Sequence, residues 1–227
     1  MIQPTNLKED PRRGTARGVL FVRVLAVLGV ALLLAACRNG ASGLPYVETF
    51  NAQGGWSSGE DGYSRGAVAD GVYSFEVLQN DVSRWAAAGK SFGDGIYEVE
   101  ATPVEGTVDN GYGLLFRANP EKGDFYLFKV SADGYVWIGR YSAGLEHETL
   151  ISPNWFESPA VQQGLNVTNK LTVRAEAGNL IFYVNGQEVG RVTDNTYTAG
   201  DVGLLVQTLG GAPVRVQFDN LSVRPLN

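Results

Sequence analysis

Short alternating apolar segments, separated by dipeptides that accept a left-handed backbone, run through nearly the whole chain. No stretch keeps a helical period for three turns. The segments fall at 46–50, 72–78, 95–102, 112–118, 125–130, 135–141, 170–176, 180–184, 187–192, 202–207 and 214–223. Asp70-Gly71, Asp133-Gly134 and Asn185-Gly186 mark tight turns between them. The run from Ile181 through Asn185-Gly186 to Val189 is the clearest hairpin. Ala86-Ala87-Ala88 has the composition of a helix start, with Gly89 and Gly93 limiting its length. Eleven or more strands in about 180 residues predict two packed sheets, an all-β sandwich.

Composition narrows the chemistry. One Cys excludes an internal disulfide framework and any Cys-cluster zinc site, and one His excludes His-rich metal centres. A Ser-His-Asp triad would have to use His147. Flanked by Glu146 and Glu148, that His is a candidate general base whose neighbours raise its pKa, in a segment that otherwise reads as a polar loop.

The first 36 residues are set apart. They hold five basic residues (Lys8, Arg12, Arg13, Arg17, Arg23) and two acidic ones, followed by an apolar run over 24–36 and then Leu34-Ala35-Ala36-Cys37. That run has the length of a signal h-region and is short for a membrane span. The four-residue box resembles the lipobox of bacterial lipoproteins, in which small residues enter a peptidase and the Cys thiol takes a lipid. The expected organisation is a signal peptide over 1–36, a lipidated Cys37 with a short tether over 37–45, and one domain over 46–227. Removing the first 36 residues lowers Lys+Arg from 18 to 13 and Asp+Glu from 24 to 22, leaving a net charge of −9. A surface this acidic, with no clustered Lys/Arg, excludes nucleic acid as a partner. It also leaves attachment to the membrane to the lipid on Cys37. The expected location is the cell envelope, on the extracytoplasmic side.

Alternation across the Asp133-Gly134 hairpin predicts facing. A two-residue turn pairs Val130 with Trp137, Phe128 with Gly139 and Tyr126 with Tyr141, and sends that apolar set inward. Leu127, Lys129, Ile138 and Arg140 then face out, and on the preceding strand Leu114 and Phe116 face in while Arg117 faces out. Trp137 becomes core. Arg117, Lys129 and Arg140 become a hydrogen-bonding patch for sugar hydroxyls or an acidic glycan. Trp155, in Pro153-Asn154-Trp155-Phe156, is the expected exposed aromatic at a sheet rim.

Several runs in order carry a family resemblance. They are Gly111-Tyr112-Gly113-Leu114-Leu115-Phe116-Arg117, Phe125-Tyr126-Leu127-Phe128-Lys129-Val130-Ser131 and Asp133-Gly134-Tyr135, then Asn169-Lys170-Leu171-Thr172-Val173, Phe182-Tyr183-Val184-Asn185-Gly186, Gly200-Asp201-Val202-Gly203-Leu204 and Phe218-Asp219-Asn220-Leu221-Ser222-Val223. Together they resemble the concanavalin A-like lectin/glucanase superfamily, closest to its bacterial 3-keto-disaccharide hydrolase-like (family-sixteen-glycosidase-like) branch. The resemblance implies a jelly roll of two curved antiparallel sheets whose concave face commonly binds carbohydrate. It also implies Asp219 as the residue matching a structural calcium site. Retaining glucanases of this fold set two Glu and an Asp on one strand. Here Glu98-Val99-Glu100 lacks the Asp between, and Glu105 lies beyond Pro103.

The expected function is therefore a membrane-anchored, extracytoplasmic domain that binds carbohydrate or another surface partner without catalysis. One alternative is a glycoside or 3-keto-disaccharide hydrolase using Glu98, Glu100 or His147. Another is an envelope scaffold with a protein partner.

Overall fold

The computed structural model describes residues 43–142, 148–151 and 154–226. The readings made on residues 1–36, on Cys37 and on His147 lie outside these residues. Sixteen strands are found among the described residues. In chain order they are β1 (Tyr46–Glu48), β2 (Gly59–Glu60), β3 (Ser64–Ala69), β4 (Val72–Val77), β5 (Ser83–Phe92), β6 (Gly95–Glu105), β7 (Gly111–Asn119) and β8 (Asp124–Ser131). Then follow β9 (Tyr135–Tyr141), β10 (Glu148–Thr149), β11 (Phe156–Glu157), β12 (Asn169–Glu176), β13 (Asn179–Val184), β14 (Gln187–Thr193), β15 (Gly200–Gln207) and β16 (Val214–Arg224). All pairings between them are antiparallel.

One sheet has nine strands in the order β14-β13-β12-β6-β16-β4-β3-β2, with β1 also on β16. The other has seven in the order β10-β9-β8-β7-β15-β5, with β11 also on β9. The predicted two-sheet antiparallel sandwich is the fold observed. The core lies between the sheets, where Tyr97 and Phe182 from the first meet Phe116 and Phe128 from the second. Their ring centroids stand 5.3–6.2 Å apart. Such pairs add to the area they bury.

Ala86-Ala87-Ala88 is strand, in the middle of β5. The residue opposite on β15 is Gly203, where an added Cβ would stand 2.4 Å from the Ala86 carbonyl oxygen. Sheet pairing at that closeness overrides the helical propensity of alanine.

A buried amide holds the long connection before β12. Asn169 accepts from the Gln162 amide (2.8 Å) and from Asn185 Nδ2 (2.8 Å). It donates to the Gln162 carbonyl (2.9 Å) and to the Tyr112 hydroxyl (3.3 Å). Its side chain is fully buried, so Asn169→Ala leaves several polar groups without partners. The expected cost is about 3 kcal/mol. It reads out as a lower denaturant midpoint at an unchanged m value.

Candidate functional site

The hairpin over Asp133-Gly134 decides which side chains the seven-stranded sheet turns outward. Val130 pairs with Val136, Lys129 with Trp137 and Phe128 with Ile138. The turn holds three residues, Ala132 to Gly134, with Gly134 at φ +103° and its amide bonded to the Ser131 carbonyl. The two-residue reading was short by one, which inverts every side chain on β9. Val136 and Ile138 enter the core, while Trp137 joins Lys129 on the outer face.

Two further members of the expected cationic patch also move. Arg117 sits in a bulge of β7 with φ +49°, and its side chain turns inward and is fully buried. Its guanidinium donates to the Ala177 and Tyr197 carbonyls (2.9 and 3.1 Å) and pairs with Asp94 (2.8 Å). Arg140 lies one register step from the expected face and bonds to Asp194 (2.8 Å) and to Thr196 Oγ1. Of the three, Lys129 alone lies on the outer face. No joint patch forms.

What that face carries is apolar. Leu115, Ala118, Phe125, Leu127, Trp137 and Leu205 form a second buried cluster, with Tyr141 and Trp155 packed on it. Phe125 stacks on Tyr141 at 5.2 Å and meets Trp85 at 5.4 Å. β7 and β15 lie between β8, which carries Phe125, and β5, which carries Trp85. That is about 14 Å of sheet at the usual strand spacing. Both rings therefore lean toward one another over this face, as they would on the concave side of a curved sheet.

At the other end of the trough, Trp155 lies over Gly111, where an added Cβ would meet its ring at 3.2 Å. Lys129 Nζ sits 4.3 Å from the Trp137 ring centroid and 5.0 Å from that of Trp155. It donates to Gln207 Oε1 at 2.6 Å. With 4% of the residue exposed, burial pushes the amine down to about 7.

The sandwich has counterparts among solved structures. The carbohydrate binding module CBM66 from Bacillus subtilis is 19% identical and superposes with a TM-score of 0.55 over 77% of this chain and 92% of its own. A Bacillus licheniformis beta-glucanase is 16% identical, with a TM-score of 0.57 over 82% and 100%. The Crh5 transglycosylase, seen in complex with NAG, is 14% identical, with a TM-score of 0.60 over 83% and 86%. The chain has the concanavalin A-like fold. Neither a family model nor a curated protein matches it. At these identities the likeness concerns the fold alone.

Within this concanavalin A-like sandwich, the carboxylates singled out from the sequence lie on the nine-stranded sheet. Glu98 pairs with Lys170 (2.7 Å) and Arg224 (3.3 Å) and accepts from Thr172 (3.2 Å), while Glu100 accepts from Asn220 Nδ2 (2.9 Å). Asp219 stands in the β16 bulge opposite Glu100 and accepts from the Asn220 amide. Among the described residues no three His, Cys, Asp or Glu side chains gather to hold a metal ion.

Trp85, 39% exposed, also stands at the rim of a cleft of ≈ 230 Å³ where the edge strands of the two sheets meet, lined by Asp61, Tyr73 and Arg84. Arg84 is paired with Asp61 there, and its guanidinium stands 5.5 Å over the ring of Tyr63. Sequence reasoning missed Trp85, Trp137 and Gln207. The signal that would have found Trp137 is Ala132, the third turn residue.

Proposed function

We propose that this domain binds carbohydrate along the concave face of the seven-stranded sheet, from Trp155 to Trp85, without hydrolysing it. In this reading, lipid on Cys37 holds it on the extracytoplasmic side of a membrane. The observation that carries the reading is the lining of that face. A sheet face turned away from the core is ordinarily polar, yet here Phe125 and Trp137 are buried in a cluster on it and Trp85, Tyr141 and Trp155 stay partly exposed around them. Flat apolar rings with a polar edge suit the faces of pyranose sugars, and charged donors at the open end suit their hydroxyls. The fold is shared with a module whose name describes carbohydrate binding.

Hydrolysis by a retaining mechanism needs two carboxyl groups about 5–5.5 Å apart on the binding face. Glu98 and Glu100 face outward from the opposite sheet, engaged by Lys170, Arg224 and Asn220.

A glycan array probed with the full chain in detergent, followed by calorimetry on the best glycan, tests the reading. Trp85→Ala and Trp155→Ala are each expected to weaken binding by about 2 kcal/mol, roughly thirty-fold in Kd. Glu98→Gln should bind as the wild type does. Binding unchanged in both Trp variants sinks the reading, as does an array with no retained glycan. Hydrolysis of the glycan that disappears in Glu98→Gln or Glu100→Gln would establish the enzyme instead.

A further inference from the structure

Among the described residues two basic side chains are buried, Arg117 and Lys129. Arg117 has Asp94. Lys129 has a neutral amide and two tryptophan rings. The residues that face it from each neighbouring element carry no charge: Gly111 and Gly113 on β7, Trp137 on β9, Leu205 and Gln207 on β15, and Trp155 ahead of β11. Among the described residues, titratable groups on this face of the neighbouring elements include Tyr135 and Glu157, exposed and paired with each other toward the β8–β9 turn, where Asp133 is engaged by Ser131 Oγ, and Tyr141 at the far end of β9. An ammonium has three donors, and one is used here. A buried cation without a counter-ion is costly, and an arriving anion removes that cost.

We propose that the concave face selects sugars bearing a carboxylate, uronic or sialic acids, and that Lys129 Nζ receives the carboxylate while Trp155, the partly exposed ring beside it, packs against the sugar. This rests on the carbohydrate-binding reading and narrows its ligand class. Gln207 is partly exposed, so a carboxylate reaches the amine by displacing the Gln207 amide from it and leaves Trp155 and the sheet in place. The pH dependence has a definite sign. The ligand stays anionic at neutral pH while the free amine is charged below about 7. A bound carboxylate raises the amine's pKa, so affinity is highest below that value and falls as pH rises through it.

The test follows the Lys129 side-chain resonance in the full chain in detergent, with lysine isotope labelling. The probes are glucuronate, galacturonate and N-acetylneuraminate, each set against its methyl ester, with acetate as the bare carboxylate. Lys129 is expected to titrate near 7 without a probe. At least one acid should move that midpoint upward by about one unit or more, where its ester and acetate do not. Calorimetry should find that acid about tenfold tighter at pH 6 than at pH 8.5. Lys129→Gln should erase the preference for acid over ester, and Lys129→Arg should keep it and flatten the pH dependence. If Lys129→Gln does not fold, the wild-type titration decides alone. A resonance unmoved by all three acids, or moved equally by ester or acetate, overturns the proposal. Acids and esters binding equally would leave the carbohydrate reading standing and remove this one. Failure of every acid and ester, together with an empty array, would remove both.

Discussion

Replacing Arg117 by alanine is expected to cost the domain about 4 kcal/mol of stability and to do so away from any ligand. The guanidinium is the donor for two backbone carbonyls, Ala177 and Tyr197, on either side of the β13–β14 hairpin, and it reaches Asp94 between β5 and β6. Truncation strands both carbonyls and leaves a cavity where a long side chain was fully buried. For a domain of this size a loss of 4 kcal/mol lowers Tm by roughly 8–16 °C. Thermal melting of the full chain, followed by circular dichroism, checks it. A variant that melts like the wild type and binds glycan weakly would return Arg117 to the binding surface and contradict the buried placement.

Cys37→Ser is expected to release the processed protein from the membrane fraction or to leave it unprocessed, held only by the apolar run at 24–36. A chain of net charge −9 beyond residue 36 has no attraction of its own for anionic lipid. The variant should appear in the soluble fraction, or remain as a precursor that still carries residues 1–36, and should take up no labelled fatty acid. Unchanged fractionation and labelling would dismiss lipid attachment at Cys37.

The fold was legible because period-two alternation and turn dipeptides are local signals, and the sheet pairings followed them. The site was less so, for reasons visible at single residues. Facing on β9 hinged on whether Ala132 belonged to the strand or the turn, a difference of one residue that moves Trp137 from core to trough. Arg117 keeps the spacing of an outward residue, but a bulge with positive φ reverses it, and nothing in the local sequence marks the bulge. Arg140 followed Trp137 through the same slip. Lys129, on β8, was placed on the correct face because its strand precedes the turn. Its burial was not legible, since the covering groups, Trp155 and Gln207, come from 26 and 78 residues further along.

The order of strands also bears on when this protein can exist as a folded body. β16, the last of the described strands, sits inside the nine-stranded sheet, with β6 along one edge and β4 and β1 along the other. β15 has the same interior place in the other sheet, between β7 and β5. While a ribosome or a translocation channel still holds residues 200–224, each sheet is missing a strand from its middle. Such non-local pairing is slow to form in any case. The emerging polypeptide therefore stays an open, threadable chain until residues 200–224 are free, and the sandwich closes only after these two interior strands have been released.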